Sequence, residues 1–312
     1  MKKFFTIVTV ILVTIVVVIY ILIPTKMSFF VTKTMATSTG TLERLVGTKS
    51  ERAKWIVNEE NPLGSNQYFI KSCTLSFPNK NSFEKNIIVE YKDIRIACTA
   101  TSQPIDSLLS YNWAFTHSTT LNPITRIKDY SSLKHIEKVL TDLQTDLGVV
   151  ANNKKAVYGF DIQVQKLTDS TIITLRENTN QYPSVDQIYA AIDKLNNYAL
   201  EKKALPTNVP MLNVSKINKN SYSFLVALPV NKDLSNEGNI VSKRMFAGGK
   251  VLVSDSIMGD IKTIENAIVS FENFKTDVNF MSPAIAYQSL ITNRQLEKDS
   301  TRWITKLYYP VY

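Results

Sequence analysis

Lys306 is the residue whose surroundings most suggest chemistry, because it stands between Trp303 and Tyr308 in the stretch STRWITKLYYPVY. The alternation predicts a β-strand, in which residues two apart point to the same face. Ile304, Lys306, Tyr308 and Tyr312 are therefore expected to lie together. An ammonium group beside aromatic rings can face an anionic group of a ligand, or it can extend into solvent along its aliphatic stem.

Residues that serve as nucleophiles, general bases or metal ligands are few. His117 and His135 are the only histidines, and neither lies in a Ser-His-Asp or Cys-His motif. No cofactor or metal is expected. The carboxylates that could act as acid–base groups are Glu59, Glu60, Glu177 and Glu265. Their spacing matches no recognisable acid–base arrangement. A non-enzymatic role is favoured, with a hydrolase or cyclase-like enzyme as the alternative.

Cys73 and Cys98 are the only two cysteines. Both fall in stretches that predict strands, and they lack the spacing of a metal site. In an oxidising compartment they could pair, and the sequence leaves that question open.

The formal charge of +9 comes from lysines and arginines spread along the chain, with no run denser than KK or SKR. Nucleic-acid binding normally requires a basic stripe or a recognisable motif. No nucleic-acid partner is therefore expected.

Residues 4–23 form an uncharged apolar run, FFTIVTVILVTIVVVIYILI. At 1.5 Å per residue, a helix of this length spans the ~30 Å hydrocarbon core of a bilayer. The run is longer than a signal-peptide core, and no small-residue cleavage site follows it. Residues 1–25 are predicted to be a retained single-pass anchor with the lipid bilayer as partner. Lys2 and Lys3 favour a cytoplasmic amino terminus and extracytoplasmic domains.

Residues 27–150 predict an α+β domain. A first helix is expected over residues 43–56, followed by short alternating stretches typical of antiparallel strands. The stretch DYSSLKHIEKVLTDLQTDLGVV then places leucines, isoleucine and valine on one helical stripe. Ser131 or Ser132 is expected to cap this helix and Gly148 to end it.

Residues 155–312 contain an internal repeat, at about 157–230 and 239–312. The helical stretches PSVDQIYAAIDKL and GDIKTIENAIVSF share their apolar spacing, and each follows a predicted strand. Ser184 and Gln187 match a capping box, and Asp260 is an N-cap signal. Two further strands complete each β-α-β-β unit, with Pro-Val pairs in matching places. Two small sheets joined side by side, with a groove between the repeats, are expected.

This C-terminal half resembles the GyrI-like small-molecule-binding domain attached to AraC- and MerR-type regulators. The resemblance covers about residues 155–312 and depends on Gly249-Lys250, Gly259-Asp260, Tyr287 and the stretch WITKLYYPV. It implies that a small amphipathic or lipophilic molecule binds in the groove. The residues expected to line that groove are Tyr222, Phe224 and Leu225 of the first repeat, and Trp303, Ile304, Lys306 and Tyr308 of the second.

One position departs from the resembled pattern. The family carries a glutamate that attracts lipophilic cations where this sequence has Lys306, while Leu225 is the positional twin in the first repeat. A lysine at this place opposes cation binding and removes a carboxylate that could act in hydrolysis. Lys306 is expected to face a ligand anion or to point into solvent.

The first soluble half resembles the START-like polyketide cyclase/SRPBCC family through its order of elements and the stretch AKWI in an early helix. This resemblance implies a helix-grip fold with an apolar cavity, and the tandem order is familiar in bacterial membrane-anchored proteins. A protein partner in the groove stays possible. The expected fold class is α+β, with a transmembrane helix, a START-like domain and a duplicated β-α-β-β domain.

Overall fold

The computed structural model describes residues 2–56, 66–77, 86–167, 171–245, 249–282 and 284–311. Glu59, Glu60 and Tyr312 of the sequence analysis lie outside these ranges. The chain divides into two compact units, Met1–Asn153 and Lys154–Tyr312. The fold is mixed α+β, with antiparallel sheets and one apolar N-terminal helix.

The first unit consists of α1 (Lys2–Leu22), β1 (Lys26–Met35), α2 (Thr39–Gly47), α3 (Lys49–Arg52), β2 (Gln67–Ile70), β3 (Cys73–Ser76), β4 (Asn86–Tyr91), β5 (Ile94–Ile105), β6 (Leu108–Ser118) and α4 (Pro123–Ala151). Its strands form one six-stranded antiparallel sheet in the order β1-β6-β5-β4-β3-β2. Strand β1 was not predicted from the sequence. It pairs with β6 along its whole length, from Lys26 opposite Ser118 to Met35 opposite Leu109.

The long helix α4 packs its leucine stripe into the core of the first unit. Leu133, Ile136 and Leu140 are fully buried, as the helical spacing predicted. The buried Gln144 amide donates to the Val31 carbonyl of β1 at 3.0 Å. These contacts hold the helix against the sheet.

The predicted start of α4 was wrong by about two turns. The helix begins at Pro123, because Asn122 Oδ1 accepts from the backbone N–H groups of Ile124 and Thr125 and proline suits the first helical position. It also continues past Gly148 to Ala151.

The single helix expected over residues 43–56 is two helices. Thr48 adopts an extended conformation between them, and its hydroxyl accepts from the Glu51 backbone N–H at 3.3 Å. Thr48 therefore caps α3 and stops α2 from continuing.

Cys73 and Cys98 are both free and buried. They lie in β3 and β5, which are separated by β4. Strands two apart lie about 9.6 Å from each other, beyond the reach of a disulfide. Burial raises the pKa of the Cys73 thiol to about 11 and that of Cys98 to about 12, so both remain protonated at neutral pH.

The second unit consists of α5 (Lys154–Tyr158), β7 (Ile162–Lys166), β8 (Thr171–Thr179), α6 (Val185–Glu201), β9 (Met211–Asn218), β10 (Ser221–Pro229), β11 (Ile240–Arg244), β12 (Lys250–Ser254), β13 (Ile257–Met258), α7 (Ile261–Asp277), β14 (Tyr287–Leu290), a short 3-10 turn (Ser300–Arg302) and β15 (Ile304–Val311). The element order β8-α6-β9-β10 recurs as β12-α7-β14-β15, with the short β13 added before α7 and the 3-10 turn added before β15.

These strands form one nine-stranded sheet rather than two small ones. Its order is β11-β8-β10-β9-β14-β15-β12-β7, with β13 beside β15. Met211 and Leu212 of β9 pair with Ser289 and Gln288 of β14 at the centre. Each of the two recurring element series is preceded by one further strand, and these two outer strands are exchanged. Strand β7, which precedes β8, pairs with β12, and β11, which precedes β12, pairs with β8.

Both helices of the second unit begin where the sequence predicted. Ser184 and Gln187 form the capping box of α6, and the Asp260 carboxylate accepts from the Thr263 backbone N–H at 2.9 Å. Gly259 precedes this cap with φ +153°, and a Cβ there would lie 2.7 Å from the Thr263 Cβ. Only glycine fits this conformation without displacement.

Candidate functional site

The nine-stranded sheet has two different faces. The face under α6 and α7 carries Phe224, Leu212 and Leu290, which belong to one buried apolar cluster with α6. Tyr309 lies on the same face and contacts Phe271 of α7, with ring centroids 6.3 Å apart. Residues at alternate positions point away from both helices.

We call this second surface the open face. Strand registers assign to it one row of Lys306, Ser289, Met211, Ala227 and Thr174. A neighbouring row consists of Tyr308, Tyr287, Asn213, Leu225 and Arg176.

Two tyrosines stack at the centre of the open face. Tyr287 of β14 and Tyr308 of β15 are register partners, and their rings are parallel within 2° with centroids 5.1 Å apart. They border a small pocket of about 90 Å³, which Met211, Val251 and Ser289 also line. The tyrosine rings form one wall of this pocket, and its remaining lining is both polar and apolar, with Gln165, Lys166 and Asn208 among the polar residues.

The charge on the open face is positive. Lys306 is half-buried beside Ser289, and Arg176 lies on β8 with Nη1 donating to Ser223 Oγ at 3.3 Å. Among the described strand residues that the registers place on this face, none is Asp or Glu. Arg176 and Lys306 are separated by four strand spacings, or about 19 Å along a flat sheet. One small anion would therefore meet Lys306 or Arg176, and not both.

Lys306 differs from Lys275, a lysine on the helix-covered side. Lys275 of α7 donates to Tyr309 Oη at 2.9 Å and pairs with Glu272 at 3.0 Å. Within the described part of the chain, Lys306 has no hydrogen-bond or ion-pair partner. Its ammonium group is available to a ligand.

The residues predicted to line a groove divide between the two faces. Leu225, Ile304, Lys306 and Tyr308 lie on the open face by strand alternation. Phe224 points to the helices and is completely buried. The alternation explains this separation, since Leu225 and Phe224 are neighbours in one strand.

Tyr222 and Trp303 also lie away from the open face. Tyr222 shares the face of Phe224, and its ring centroid is 5.9 Å from that of Tyr182. Trp303 is buried, and its indole N–H donates to the Glu297 carbonyl at 2.9 Å. Both side chains have structural contacts.

A second pocket, which the sequence analysis missed, lies on the helix-covered side between α7 and β9. It measures about 240 Å³, and its lining includes Leu212, Val214, Ile268, Glu272 and Tyr309. Ile268, which is half-buried, belongs to the apolar repeat of α7 that the sequence analysis identified.

The described residues contain no group of three or more His, Cys, Asp or Glu side chains able to hold a metal. His135 Nε2 lies 2.9 Å from the Lys71 carbonyl, and its ring stacks on Tyr91. His117 lies 3.6 Å from Asp129. Glu177 pairs with Lys194 of α6 at 2.9 Å, on the helix-covered side. The ionisable side chains that the strand registers place on the open face include Lys306, Tyr287 and Tyr308.

Comparison with known proteins gives structural similarity only. No protein-family model matches the sequence, and no curated protein matches it. The C-terminal domain of EcmrR superposes with a TM-score of 0.41 at 16% identity, covering 49% of this chain and 98% of that one. SAV2435, solved bound to tetraphenylphosphonium, has a TM-score of 0.31 at 13% identity, with 49% and 94% covered.

A longer but weaker match is the di-domain ARO/CYC protein StfQ from the steffimycin biosynthetic pathway. Its TM-score is 0.30 at 8% identity, and the match covers 91% of this chain and 84% of that one. The C-terminal domain of EcmrR matches half of this chain, whereas the ARO/CYC protein matches most of it. Similarity at this level assigns no ligand, activity or partner to this chain.

Proposed function

We propose that the protein is a membrane-anchored, non-enzymatic binder of a small amphipathic molecule with an anionic group, which the open face holds at Lys306. The observation that carries the proposal is the unpartnered Lys306 on a face with a tyrosine stack and no described strand carboxylate.

The charge of Lys306 and the flat tyrosine rings together favour an anionic ligand with an apolar part. At an effective dielectric constant of about 20, a cation repels a like charge 4 Å away by roughly 4 kcal/mol. Lys306 therefore disfavours a lipophilic cation and favours an anion. The stacked rings of Tyr287 and Tyr308 offer flat apolar area to the remainder of the ligand.

We prefer this non-enzymatic binding function to the alternative of a hydrolase or cyclase-like enzyme. A general acid or base must come within about 3 Å of the group that it protonates or deprotonates. Among the described residues, the strands contribute no carboxylate or histidine to the open face, so an acid–base role there would fall to Lys306 or a tyrosine. The apolar cavity expected in the first unit stays a prediction.

Helix α1 is proposed to be the anchor. An 18-residue stretch of this 21-residue helix has a mean hydropathy of 3.0, and none of the helix residues is buried within the protein. The hydroxyls of Thr6, Thr9 and Thr14 donate to backbone carbonyls four residues earlier. These side chains thus satisfy their own hydrogen bonds, as lipid requires. We propose a cytoplasmic amino terminus and extracytoplasmic units.

We further propose that β8-α6-β9-β10 and β12-α7-β14-β15 are duplicates of one GyrI-like unit, and that the first unit is START-like. The common element order and the similar helix starts support the duplication. A long helix packed on an antiparallel sheet supports the second assignment.

The test uses two probes of the same shape and opposite charge, tetraphenylborate and tetraphenylphosphonium. Their affinities are measured for the full chain in nanodiscs, alongside Lys306→Met and Lys306→Glu. We expect Lys306→Met to weaken tetraphenylborate binding about five-fold, which corresponds to roughly 1 kcal/mol. Lys306→Glu should invert the preference towards the phosphonium.

Lys262→Met is the matched control, because this exposed lysine of α7 has the same charge and lies away from the open face. Comparison among variants in identical nanodiscs removes the partitioning of the probes into lipid. Equal tetraphenylborate affinity in the Lys306→Met and Lys262→Met variants would contradict the proposed site.

A further inference from the structure

The end of α1 is attached to the start of α4 within the first unit. The Tyr20 hydroxyl donates to the Leu121 carbonyl. The Arg126 guanidinium lies 4.3 Å from the centre of the Tyr20 ring, and Arg126 itself is buried. These contacts place residues 121–126 alongside the last turn of the apolar helix.

The length of the apolar run then gives the depth of this contact. A hydrocarbon core of about 30 Å takes up about twenty helical residues, which is the whole of residues 4–23. Tyr20 precedes Ile23 by three residues, or about 4.5 Å along the helix axis. Because the Leu121 carbonyl accepts the hydrogen bond of Tyr20, Leu121 lies near the boundary between acyl chains and headgroups.

Several large apolar side chains of the first unit near this contact are exposed. Leu121, Ile124 and Phe30 are 73%, 65% and 66% exposed. Ile127 and Tyr130 continue the same side of α4 and are also exposed. We call these five residues the collar. Large aliphatic and aromatic side chains grouped beside a membrane helix match the composition of interfacial segments.

Cations and a groove adjoin the collar. Lys26 and Lys128 are exposed, next to the end of α1 and within the first turns of α4. An open groove of about 410 Å³ beside Phe30 is lined by Pro24, Lys26 and Tyr130, among others. Lysines at this level suit phosphate headgroups, and tyrosines are enriched at the membrane interface.

We propose that the collar lies in the surface of a phospholipid bilayer, so that the first unit rests on the membrane instead of hanging from a free tether. This inference depends on the proposed anchoring role of α1. The partner is the bilayer itself, because the collar is continuous with the helix that would span it. The first two turns of α4 then act as an interfacial helix.

The experiment measures the depth of single fluorophores on the full chain in phospholipid vesicles. Cysteines replace Leu121 and Ile124 in turn and carry a nitrobenzoxadiazole label, while the native cysteines are buried and do not react. Val149→Cys is the matched control, since Val149 is an exposed aliphatic residue of the same helix, about 37 Å further along it. Leu12→Cys reports on the middle of α1.

We expect labels at 121 and 124 to be quenched several-fold more by nitroxide lipids than the label at 149, and to be protected from aqueous iodide. Suppose that these labels are as accessible to iodide as the label at 149 while the label at 12 is protected. The proposed membrane contact of the collar is then wrong, and the proposed anchoring role of α1 is retained. Iodide access at position 12 would contradict both the membrane contact of the collar and the anchoring role of α1. Equal lipid quenching at 149 and 124 would show that α4 has no distinct membrane-facing end, which also overturns the collar.

Discussion

Two cations close to β15 lie on opposite faces of the same sheet, and the protein treats them differently. Arg294 is buried on the helix-covered side, where it donates to Gln288 Oε1 at 3.2 Å and to Thr305 Oγ1 at 2.9 Å. Its guanidinium also lies 5.0 Å from the centre of the Trp303 ring. Lys306, the residue after Thr305, points to the open face without a described partner.

The comparison separates a structural cation from one that is available to a ligand. Burial lowers the pKa of Arg294, and its charge is stabilised by neutral oxygen atoms and an aromatic ring. Its Nη2 donates to both oxygen atoms, while its buried Nε has no hydrogen-bond partner among the described residues. Lys306 is half-buried without a described partner, so its charge is not committed to the fold.

The largest expected effect comes from breaking the helix-covered face. Phe224→Ala removes a fully buried ring and should lower the free energy of unfolding by about 3–5 kcal/mol. Leu225→Ala, one residue along on the open face, should cost less than about 1 kcal/mol. Hydrogen exchange of β9 and β10 peptides, read by mass spectrometry, measures both. Equal losses would show that the two faces are wrongly assigned.

The next effect compares the two cations directly. Arg294→Met leaves Gln288 and Thr305 without their donor, and a buried unsatisfied group costs about 1–3 kcal/mol. Lys306→Met should change stability by no more than about 0.5 kcal/mol. Exchange in β14 and β15 peptides is the measurement. A larger loss in the lysine variant would make Lys306 a structural residue.

The smallest expected effect concerns the caps of the two covering helices. Hydrogen bonds from the Thr263 backbone N–H, and then from its hydroxyl, lower the pKa of Asp260. A carboxyl whose folded-state pKa is lowered stabilises the fold above its ordinary pKa, and this contribution disappears as pH falls through the lowered value. The corresponding residue of α6 is Ser184, which does not titrate.

Asp260→Ser gives both helices the same kind of cap. The thermal midpoint of the wild type should exceed that of the variant by more at pH 6 than at pH 3. Ser184→Ala serves as the control, and its difference from the wild type should be the same at both pH values. A pH-independent difference for Asp260→Ser would contradict the role of the carboxylate.

Elements with strong periodicity or capping signals could be predicted from the sequence. The leucine stripe of α4, the Ser184 capping box and the order of strands around α6 and α7 all depend on local spacing. Strand β1 was missed although Met27, Phe29 and Val31 alternate as buried residues, because the apolar run before it dominated the interpretation.

The candidate site was predictable only in part. Alternation places Ile304, Lys306 and Tyr308 on one face, but which face the helices cover depends on tertiary packing. For this reason Phe224 was expected in a groove and lies in the core. The buried Arg294 carried no sequence signal, since its partners come from β14 and β15.

The exchanged outer strands have a consequence for the synthesis of the chain. Strand β7 pairs with β12, which begins about 84 residues after β7 ends, so at 5–20 residues per second β7 waits roughly 4–17 s for its neighbour. Until β11 and β12 are made, β8 and β7 respectively lack these partners and present unpaired edges, which other chains can join. A polypeptide cut between the two series should therefore recover its fold only when both fragments are present, and each fragment alone should self-associate.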